Sequence, residues 1–296
     1  MQHLRLAGYK LLLTGYRLEN LFEAFESFAI FEEPDDGFLP DLTAEIVVDH
    51  DYSAQLMPDA LYEQSIGSVV FLQNRDRLVF VNDGSPFTCI EFSRDYANAR
   101  YFFDSKRCQS LTSQKDQVDF TLYMELRRQL AAYLFCRSEL MLHSVSVLYQ
   151  TEAFAISAPS ETGKTTHALL WAEHFGAKII NGDCNALRVK EDGAYLYGLP
   201  WCGNSGIYHN EHAPLRGVVF LERGEVNKIH RLNQSESITR LTARSYLPRW
   251  DALLMSGDYL APAERLAAKT PCYALRCRPD KKAAEILRQY LYPSRP

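Results

Sequence analysis

The sequence lacks the features that mark several common classes of protein. No apolar run approaches the roughly 18 residues of a membrane-spanning helix, so we expect no membrane partner. Seven cysteines are scattered without a C-x-x-C pair, which argues against a zinc site and indicates reduced thiols in a cytoplasmic protein. The formal net charge of −5 argues against nonspecific binding of nucleic acid, and the first residues turn polar too early for a signal peptide.

What remains is an ordinary globular composition and one chemical signature. Hydrophobic residues make up 47% and charged residues 23%, so the 296 residues can form one large domain or two modest ones. Residues 158–165 match the phosphate-loop pattern G-x-x-x-x-G-K-[ST], except that Ala replaces the first Gly. An apolar strand pattern at 154–156 precedes this segment, and helical spacing follows it over 165–175. Strand, tight loop and helix, in this order, form the context that the motif requires.

Each retained part of the motif has a chemical role. Backbone N–H groups over 160–165 can surround a phosphate at the positive end of the helix dipole. The Lys164 ammonium can reach the β- and γ-phosphates of a nucleotide, and the Thr165 hydroxyl can hold Mg²⁺. The residues predicted to contact the nucleotide are Ser160, Glu161, Thr162, Gly163, Lys164, Thr165 and Thr166.

Phosphoryl transfer also needs a carboxylate that holds the metal or orients the nucleophile. Asp183 is the best candidate, because it ends the strand that follows the loop's helix and Gly182 lets the backbone turn sharply there. Asn181 lies two positions upstream and could bind the water shell of the metal. The Gly- and Pro-containing segment 197–204 either packs against the core or covers a ligand, which makes it a candidate lid.

The chain divides near residue 140. Before it, short alternating segments predict a β-rich domain closed by an amphipathic helix over 118–135. After it, the elements follow an α/β order, with a hairpin at Asp192 and Gly193 and a final helix capped by Asp280. The fold class is therefore α/β (α+β overall), with a β-rich recognition domain at 1–139 and a nucleotide-binding domain at 140–296. The main predicted strands are 10–13, 44–48, 68–72, 78–81, 87–92, 100–103, 144–148, 154–157, 178–181, 187–190, 195–197, 215–221 and 272–277.

Four stretches together resemble the HPr kinase/phosphorylase-related family. They are His143, the run 153–167 around the loop, the segment 179–183 after its helix, and 197–203. The catalytic domain of that family is similar to the nucleotide-binding domain of phosphoenolpyruvate carboxykinases. The match is closest to the stand-alone bacterial HPr-kinase-like proteins and spans about 140–291.

The resemblance implies a reaction and gives His143 a part in it. By itself, a lone His beside an apolar strand more often has a structural role. Within the family pattern, MgATP lies over the loop, Lys164 neutralises the transferring phosphate, and Thr165 and Asp183 hold Mg²⁺. Asp183, helped by His143, then orients an incoming hydroxyl, which is a Ser of a peptide or protein or the hydroxyl of a small molecule. Related kinases form hexamers, so a homo-oligomer is among the expectations.

Two departures from the family keep a second function open. Where the family carries an Asp-Asp pair, this chain has Gly182 and Asp183, so one carboxylate does both jobs or one job is lost. The downstream Arg-Gly-rich signature of the family has no clear match. The leading hypothesis is a hydroxyl kinase, and the alternative is a nucleotide-binding partner that switches a complex without turnover. Glu161 within the loop favours the alternative, and a carboxykinase-like lyase has little room in this length.

Overall fold

The computed structural model describes residues 1–16, 18–35, 37, 39–48, 60–66, 69–82, 87–104, 114–246 and 259–293. The chain forms two compact units, Met1–Cys136 and Arg137–Pro296. Both contain sheets and helices, so the protein has a mixed α/β structure. No helix among the described residues is long and apolar enough to cross a membrane. The roles assigned to the two predicted domains stay predictions.

The first unit is built on an eight-stranded sheet in the order β1-β2-β3-β8-β7-β6-β5-β4. The β2–β3 and β3–β8 pairs are parallel, and the other neighbours are antiparallel. Its strands are β1 (Gln2–Leu6), β2 (Tyr9–Gly15), β3 (Leu42–Val48), β4 (Tyr62–Ile66), β5 (Val69–Gln73), β6 (Arg77–Asn82), β7 (Phe87–Ser93) and β8 (Asn98–Phe103). Its helices are α1 (Leu18–Ala24), a 3₁₀ turn (Glu26–Phe31) and α2 (Gln114–Cys136).

Helix α2 is fixed to this sheet by a buried polar side chain as well as by apolar packing. Gln129 is 1% exposed, accepts a hydrogen bond from the Tyr101 hydroxyl at 3.0 Å and donates to the backbone oxygen of Thr43 at 2.9 Å. The Arg128 guanidinium lies 3.9 Å from the centre of the Phe80 ring. The aromatic residues of the predicted β-rich domain therefore serve its own core. The predicted helix over 118–135 is confirmed and is longer, whereas Ser68, the start of one predicted strand, lies outside the described residues.

Within its described residues, 137–246 and 259–293, the second unit contains nine strands and four helices. Its strands are β9 (Leu140–His143), β10 (Val145–Tyr149), β11 (Glu152–Ser157), β12 (Lys178–Asn181), β13 (Cys184–Val189), β14 (Ala194–Gly198), β15 (His212–Arg223), β16 (Lys228–Arg231) and β17 (Cys272–Cys277). Its helices are α3 (Lys164–Phe175), α4 (Gln234–Arg244), α5 (Ala261–Lys269) and α6 (Lys281–Leu291), with a 3₁₀ turn at Gly203–Ser205.

The long strand β15 connects the two parts of this sheet. Its first residues pair with β14, which continues through β13 to β9, while its later residues lie parallel between β11 and β17. Strands β11, β15 and β17 therefore end at the same edge of the sheet. Beyond β11, the order runs through β10 to the edge strand β12. The pairing of β9 with β13 sets His143 opposite Cys184, so His143 and Asp183 become neighbours.

Helices cover both faces of the second sheet. Along β11, Ala153 and Ala155 face a core that includes Leu241 of α4 and Leu266 of α5. Phe154 and Ile156 alternate to the other face, where they pack with buried residues of α3 and α6 such as Trp171, Ala283 and Leu287. The strand that delivers the loop is thus rigid because it is buried on both sides.

Several local predictions are confirmed in this unit. The hairpin at Asp192 and Gly193 closes with a hydrogen bond from the Lys190 amide to the Gly193 oxygen at 2.7 Å. Asp280 caps α6, because its carboxylate accepts from the Ala283 amide at 2.8 Å. Four short strands were not predicted: β1, β4, β9 and β16.

Candidate active site

The segment between β11 and α3 is a tight turn that leads directly into the N-terminus of the helix. Helix α3 begins at Lys164, and its N-cap, Gly163, has a φ of 111°, a left-handed conformation that suits glycine. Glu161 also has a positive φ, 63°, and is exposed at the outer side of the loop. The order of strand, loop and helix is confirmed. The assignment of residues 160–166 to nucleotide contacts stays a prediction, and the loop's role as a phosphate site belongs to the proposal below.

The Lys164 side chain folds back over this loop. Its ammonium group donates to the backbone oxygens of Ala158 at 3.1 Å and Pro159 at 3.4 Å, and it lies 2.9 Å from Nε2 of His143. An ammonium group carries donors only, so Nε2 of His143 must accept this third hydrogen bond. The three protons of Lys164 are thus each directed at an acceptor.

This contact also fixes the tautomer of His143. Because Nε2 accepts, the ring proton lies on Nδ1, which is 3.1 Å from Oδ1 of Asp183. His143 and Asp183 are 24% and 22% exposed, so the pair is accessible from solvent yet partly shielded. The structure therefore brings the three predicted catalytic residues into one chain of contacts: Lys164 to His143 to Asp183. Their catalytic roles stay predictions.

Tyr246 adds a fourth polar group that sequence reasoning missed. Its hydroxyl donates to Oδ2 of Asp183 at 3.3 Å and lies 3.3 Å from Nδ1 of His143. The backbone after α4 positions it, because Ser245 forms an antiparallel bridge with Leu142 of β9 and the Tyr246 amide donates to the Met141 oxygen at 2.8 Å. No local pattern in the sequence marks this bridge.

Burial and neighbouring charges act on the Lys164 ammonium in opposite directions. Desolvation lowers its pKa, the Asp183 carboxylate raises it, and the Arg244 guanidinium lowers it again, with burial the largest effect. The result is a pKa below the ordinary value of a lysine. Because the side chain is only 8% exposed, an incoming anion would meet a charge that water shields poorly.

Asn181 shapes the turn that presents Asp183. It is fully buried, and its amide nitrogen donates to the Leu199 oxygen at 2.6 Å. Its side-chain oxygen accepts from the backbone amides of Asp183 and Cys184, each at 2.8 Å. These contacts contradict the expectation that Asn181 binds the water shell of a metal, because its carbonyl already holds the backbone turn.

The segment predicted as a lid packs against this turn instead of standing apart from it. A Cβ on Gly182 would lie 1.9 Å from Oγ of Ser205, and one on Gly203 would lie 2.9 Å from Cγ of Asp183. The space beside the Cα of Gly182 is therefore filled by Ser205. Cys202, in the same segment, has a raised pKa because of burial and, less strongly, the Asp183 charge, so its thiol is a poor nucleophile.

The candidate ligands suit Mg²⁺ better than they suit a metal ion that is held by protein side chains alone. Among the described residues, no group of three or more His, Cys, Asp or Glu side chains could hold a metal ion. One carboxylate, Asp183, and one hydroxyl, Thr165 in the first turn of α3, remain as the predicted ligands. Mg²⁺ commonly uses one or two protein ligands together with substrate phosphates and water, which is the chemistry that this pair allows.

A cavity of about 430 Å³ opens on the other side of the loop. It is bounded by Glu161, Thr162 and Gly163 of the loop, by Thr166 and His167 of α3, and by the ends of β15 and β17. His143, Lys164 and Asp183 are not part of its lining.

No protein-family model matches the sequence, and no curated protein matches it either. Among solved structures, the chain is similar to the HPr(Ser) kinase/phosphatase from Coxiella burnetii, with a TM-score of 0.30 and 8% sequence identity. The match covers 51% of this chain and 95% of that protein. The relationship is a distant structural one and assigns no residue a role.

Proposed function

We propose that this protein is an ATP- and Mg²⁺-dependent kinase that transfers the γ-phosphoryl group to a hydroxyl. The observation that supports this most directly is the line of contacts from Lys164 through His143 to Asp183 at the start of α3. A cation for the transferring phosphate, a base with a fixed tautomer and a carboxylate that orients it are the groups that phosphoryl transfer to a hydroxyl requires.

The chain's own residues suffice for the proton transfer. When nucleotide phosphates occupy the loop, they compete for the Lys164 ammonium, and Nε2 of His143 loses its present donor. Nε2 then accepts the proton of the attacking hydroxyl as its oxygen bonds to the γ-phosphorus and the bond to the β-phosphate oxygen breaks. Asp183 stabilises the resulting imidazolium through Nδ1–H. Bound Mg²⁺, held by Thr165 and Asp183, would supply charge neutralisation at the phosphates.

The acceptor class rests on the family resemblance of His143, Lys164 and Asp183. It implies a serine hydroxyl of a peptide or protein, with the hydroxyl of a small molecule as the neighbouring case. The β-rich first unit is proposed to recognise this acceptor.

A nucleotide-binding switch without turnover is the second candidate, and two observations favour it. The Lys164 ammonium is already satisfied by two loop carbonyls and His143. In addition, Gly182 leaves no room for a second carboxylate beside Ser205. Such a protein would bind ATP and change the contacts of Lys164 without transferring a phosphate.

The test is ATP turnover with Mg²⁺, with and without a library of serine-containing peptides and small alcohols. The enzymes compared are the wild type, Lys164→Ala and Asp183→Asn, with Lys178→Ala as the control, because Lys178 forms an exposed ion pair with Glu211. We expect phosphate on an acceptor, a loss of roughly 10²–10³-fold or more in both site variants, and an unchanged control. Tight ATP binding without transfer to any acceptor would reject the kinase in favour of the switch.

A further inference from the structure

The cavity beside the loop is separate from the groups proposed to do the chemistry. Its lining includes Thr166 and His167 of α3, Leu221 and Arg223 at the end of β15, and Pro279 after β17. Lys164 points the other way, toward His143. A molecule bound at the loop therefore meets two different environments, one on each side of the helix N-terminus.

Size and wall chemistry suit the organic part of a small ligand. The volume of about 430 Å³ lies within the range of roughly 300–1,000 Å³ that ligand pockets occupy. Leu221, Cys277 and Pro279 provide apolar surface, and Arg223 and Arg278 also line the cavity. Arginine planes and apolar walls are the surfaces on which heteroaromatic rings stack.

The charge of the lining disfavours a second anion. Three carboxylate residues, Glu161, Glu222 and Glu225, face only two arginines in the lining. Two of those carboxylates already have a cation partner, and Arg223 already donates to a backbone oxygen. The Arg278 guanidinium contacts Glu225 at 2.8 Å, Arg223 donates to the backbone oxygen of Glu161, and Glu222 is bound by Arg240 at 2.7 Å. An uncharged group is the better occupant.

We propose that this cavity holds the base and ribose of the nucleotide whose phosphates the loop binds. The inference rests on the proposed nucleotide-dependent function and adds the location of the nucleoside. The nucleotide then spans the N-terminus of α3, with its transferring phosphate beside Lys164 and its nucleoside beside Thr166 and His167. The exposed Thr166, which lines the cavity, continues the path from the loop.

The burial of the His167 ring in this wall is not explained by hydrogen bonds within the described residues. Its side chain is almost fully buried, with 1% of the residue exposed, and neither ring nitrogen has a hydrogen-bond partner among the described residues. Burying an unpaired polar ring is unfavourable unless something recovers the lost hydrogen bonds. Both ring nitrogens are closed to solvent in this structure, so a base in the cavity can reach them only when the His167 ring turns toward it. A nucleoside base then offers donors and acceptors at its edge, and an imidazole offers one of each.

The experiment compares ATP with inorganic tripolyphosphate, which has the phosphates but no nucleoside. Affinities of both, with Mg²⁺, are measured by calorimetry for the wild type, His167→Phe, Arg278→Leu and Lys164→Ala. Phe keeps a planar ring at position 167 and breaks no hydrogen bond of the described residues, so we expect the variant to fold, and circular dichroism checks this. Arg276→Leu is the matched control, because Arg276 is exposed near the end of β17, two residues before Arg278, and lies outside the cavity lining.

We expect the wild type to bind ATP more tightly than tripolyphosphate. His167→Phe and Arg278→Leu should each weaken ATP about tenfold while leaving tripolyphosphate unchanged, and Arg276→Leu should change neither. Lys164→Ala should weaken both ligands. Equal affinity for the two ligands, or equal losses of both in the cavity variants, would overturn the nucleoside assignment alone. Failure of both ligands to bind the wild type would instead overturn the proposed function.

Discussion

Two histidines in the second unit are placed in opposite environments. His143 is 24% exposed, and each of its ring nitrogens has a polar neighbour: Lys164 at Nε2 and Asp183 at Nδ1. His167 is 1% exposed, and neither of its nitrogens has a partner among the described residues. Burial lowers the pKa of His167 to about 4, against a smaller opposing effect of Asp280.

The different environments of the two histidines indicate different roles for the Lys164 side and the His167 side of the loop. A ring whose tautomer is set by a cation and a carboxylate is ready to take a proton at one defined atom. A ring that burial keeps neutral at physiological pH contributes shape and uncharged hydrogen bonding only. Proton transfer is therefore expected on the Lys164 side of the loop, and recognition without charge on the His167 side.

The largest effect is expected from disturbing the turn that holds Asp183 against His143. Gly182→Ala adds a Cβ that would lie 1.9 Å from Oγ of Ser205, whose hydroxyl donates to the Cys202 backbone oxygen at 2.6 Å. Overpacking of this kind typically costs 1–3 kcal/mol, and a contact this close should reach the upper end, about 3 kcal/mol. Urea unfolding of the variant measures it.

Ser205→Gly supplies the matched control for this prediction. It removes the group that the new methyl meets, so Gly182→Ala should lose most of its effect in the Ser205→Gly background. A destabilisation that is the same in both backgrounds would show that Ser205 does not close the space beside Asp183. Close packing around Asp183 would then not be what holds this carboxylate against His143.

The second prediction concerns stability against pH on the His167 side. The folded-state pKa of His167 is about 4, below the ordinary 6.5 of an unfolded chain. Between these two values only the unfolded chain gains the proton, so the free energy of unfolding falls as pH falls from about 6.5 toward 4. At pH 5 the loss relative to pH 7.5 is on the order of 2 kcal/mol.

His167→Phe should abolish that part of the pH dependence. Unfolding by urea at pH 7.5 and pH 5 measures the difference, and His174→Phe on the same helix should keep it at the wild-type size. A variant that loses stability at pH 5 as steeply as the wild type would mean that the buried ring does not resist protonation. His167 and His143 would then differ only in their hydrogen-bond partners.

The sequence predicts the strand and helix that flank the loop better than it predicts the short strands around them. Strand β11 and helix α3 follow from local hydrophobic spacing, and Asp280 caps α6 through a contact three residues away. Strand β9 was missed because it has only four residues and pairs with β13, more than 40 residues downstream. Short strands of this kind are defined by distant partners, and local pattern carries little information about them.

The same division applies to the candidate site. The motif itself identifies Lys164 and Gly163, and the order of elements and the family resemblance add Asp183 and His143. Asn181 was misjudged, because an amide two residues from a carboxylate looks like a ligand in sequence, whereas its oxygen in fact holds two backbone amides. Tyr246 depends on a single backbone bridge between Ser245 and Leu142.

The smallest effect is expected from Tyr246, which we regard as a positioning residue. Its hydroxyl reaches Asp183 only at a long 3.3 Å, while its ring lies edge-on to His143 with centroids 6.1 Å apart. Tyr246→Phe keeps the ring and removes one hydrogen bond, so kcat should fall about fivefold, corresponding to about 1 kcal/mol. KM for ATP should not change, because the Tyr246 hydroxyl contacts His143 and Asp183 and not the loop. Tyr195→Phe, which removes an exposed hydroxyl–Asp192 bond of 2.6 Å, should leave both parameters unchanged. An unchanged kcat in Tyr246→Phe would mean that His143 and Asp183 hold each other without this hydroxyl.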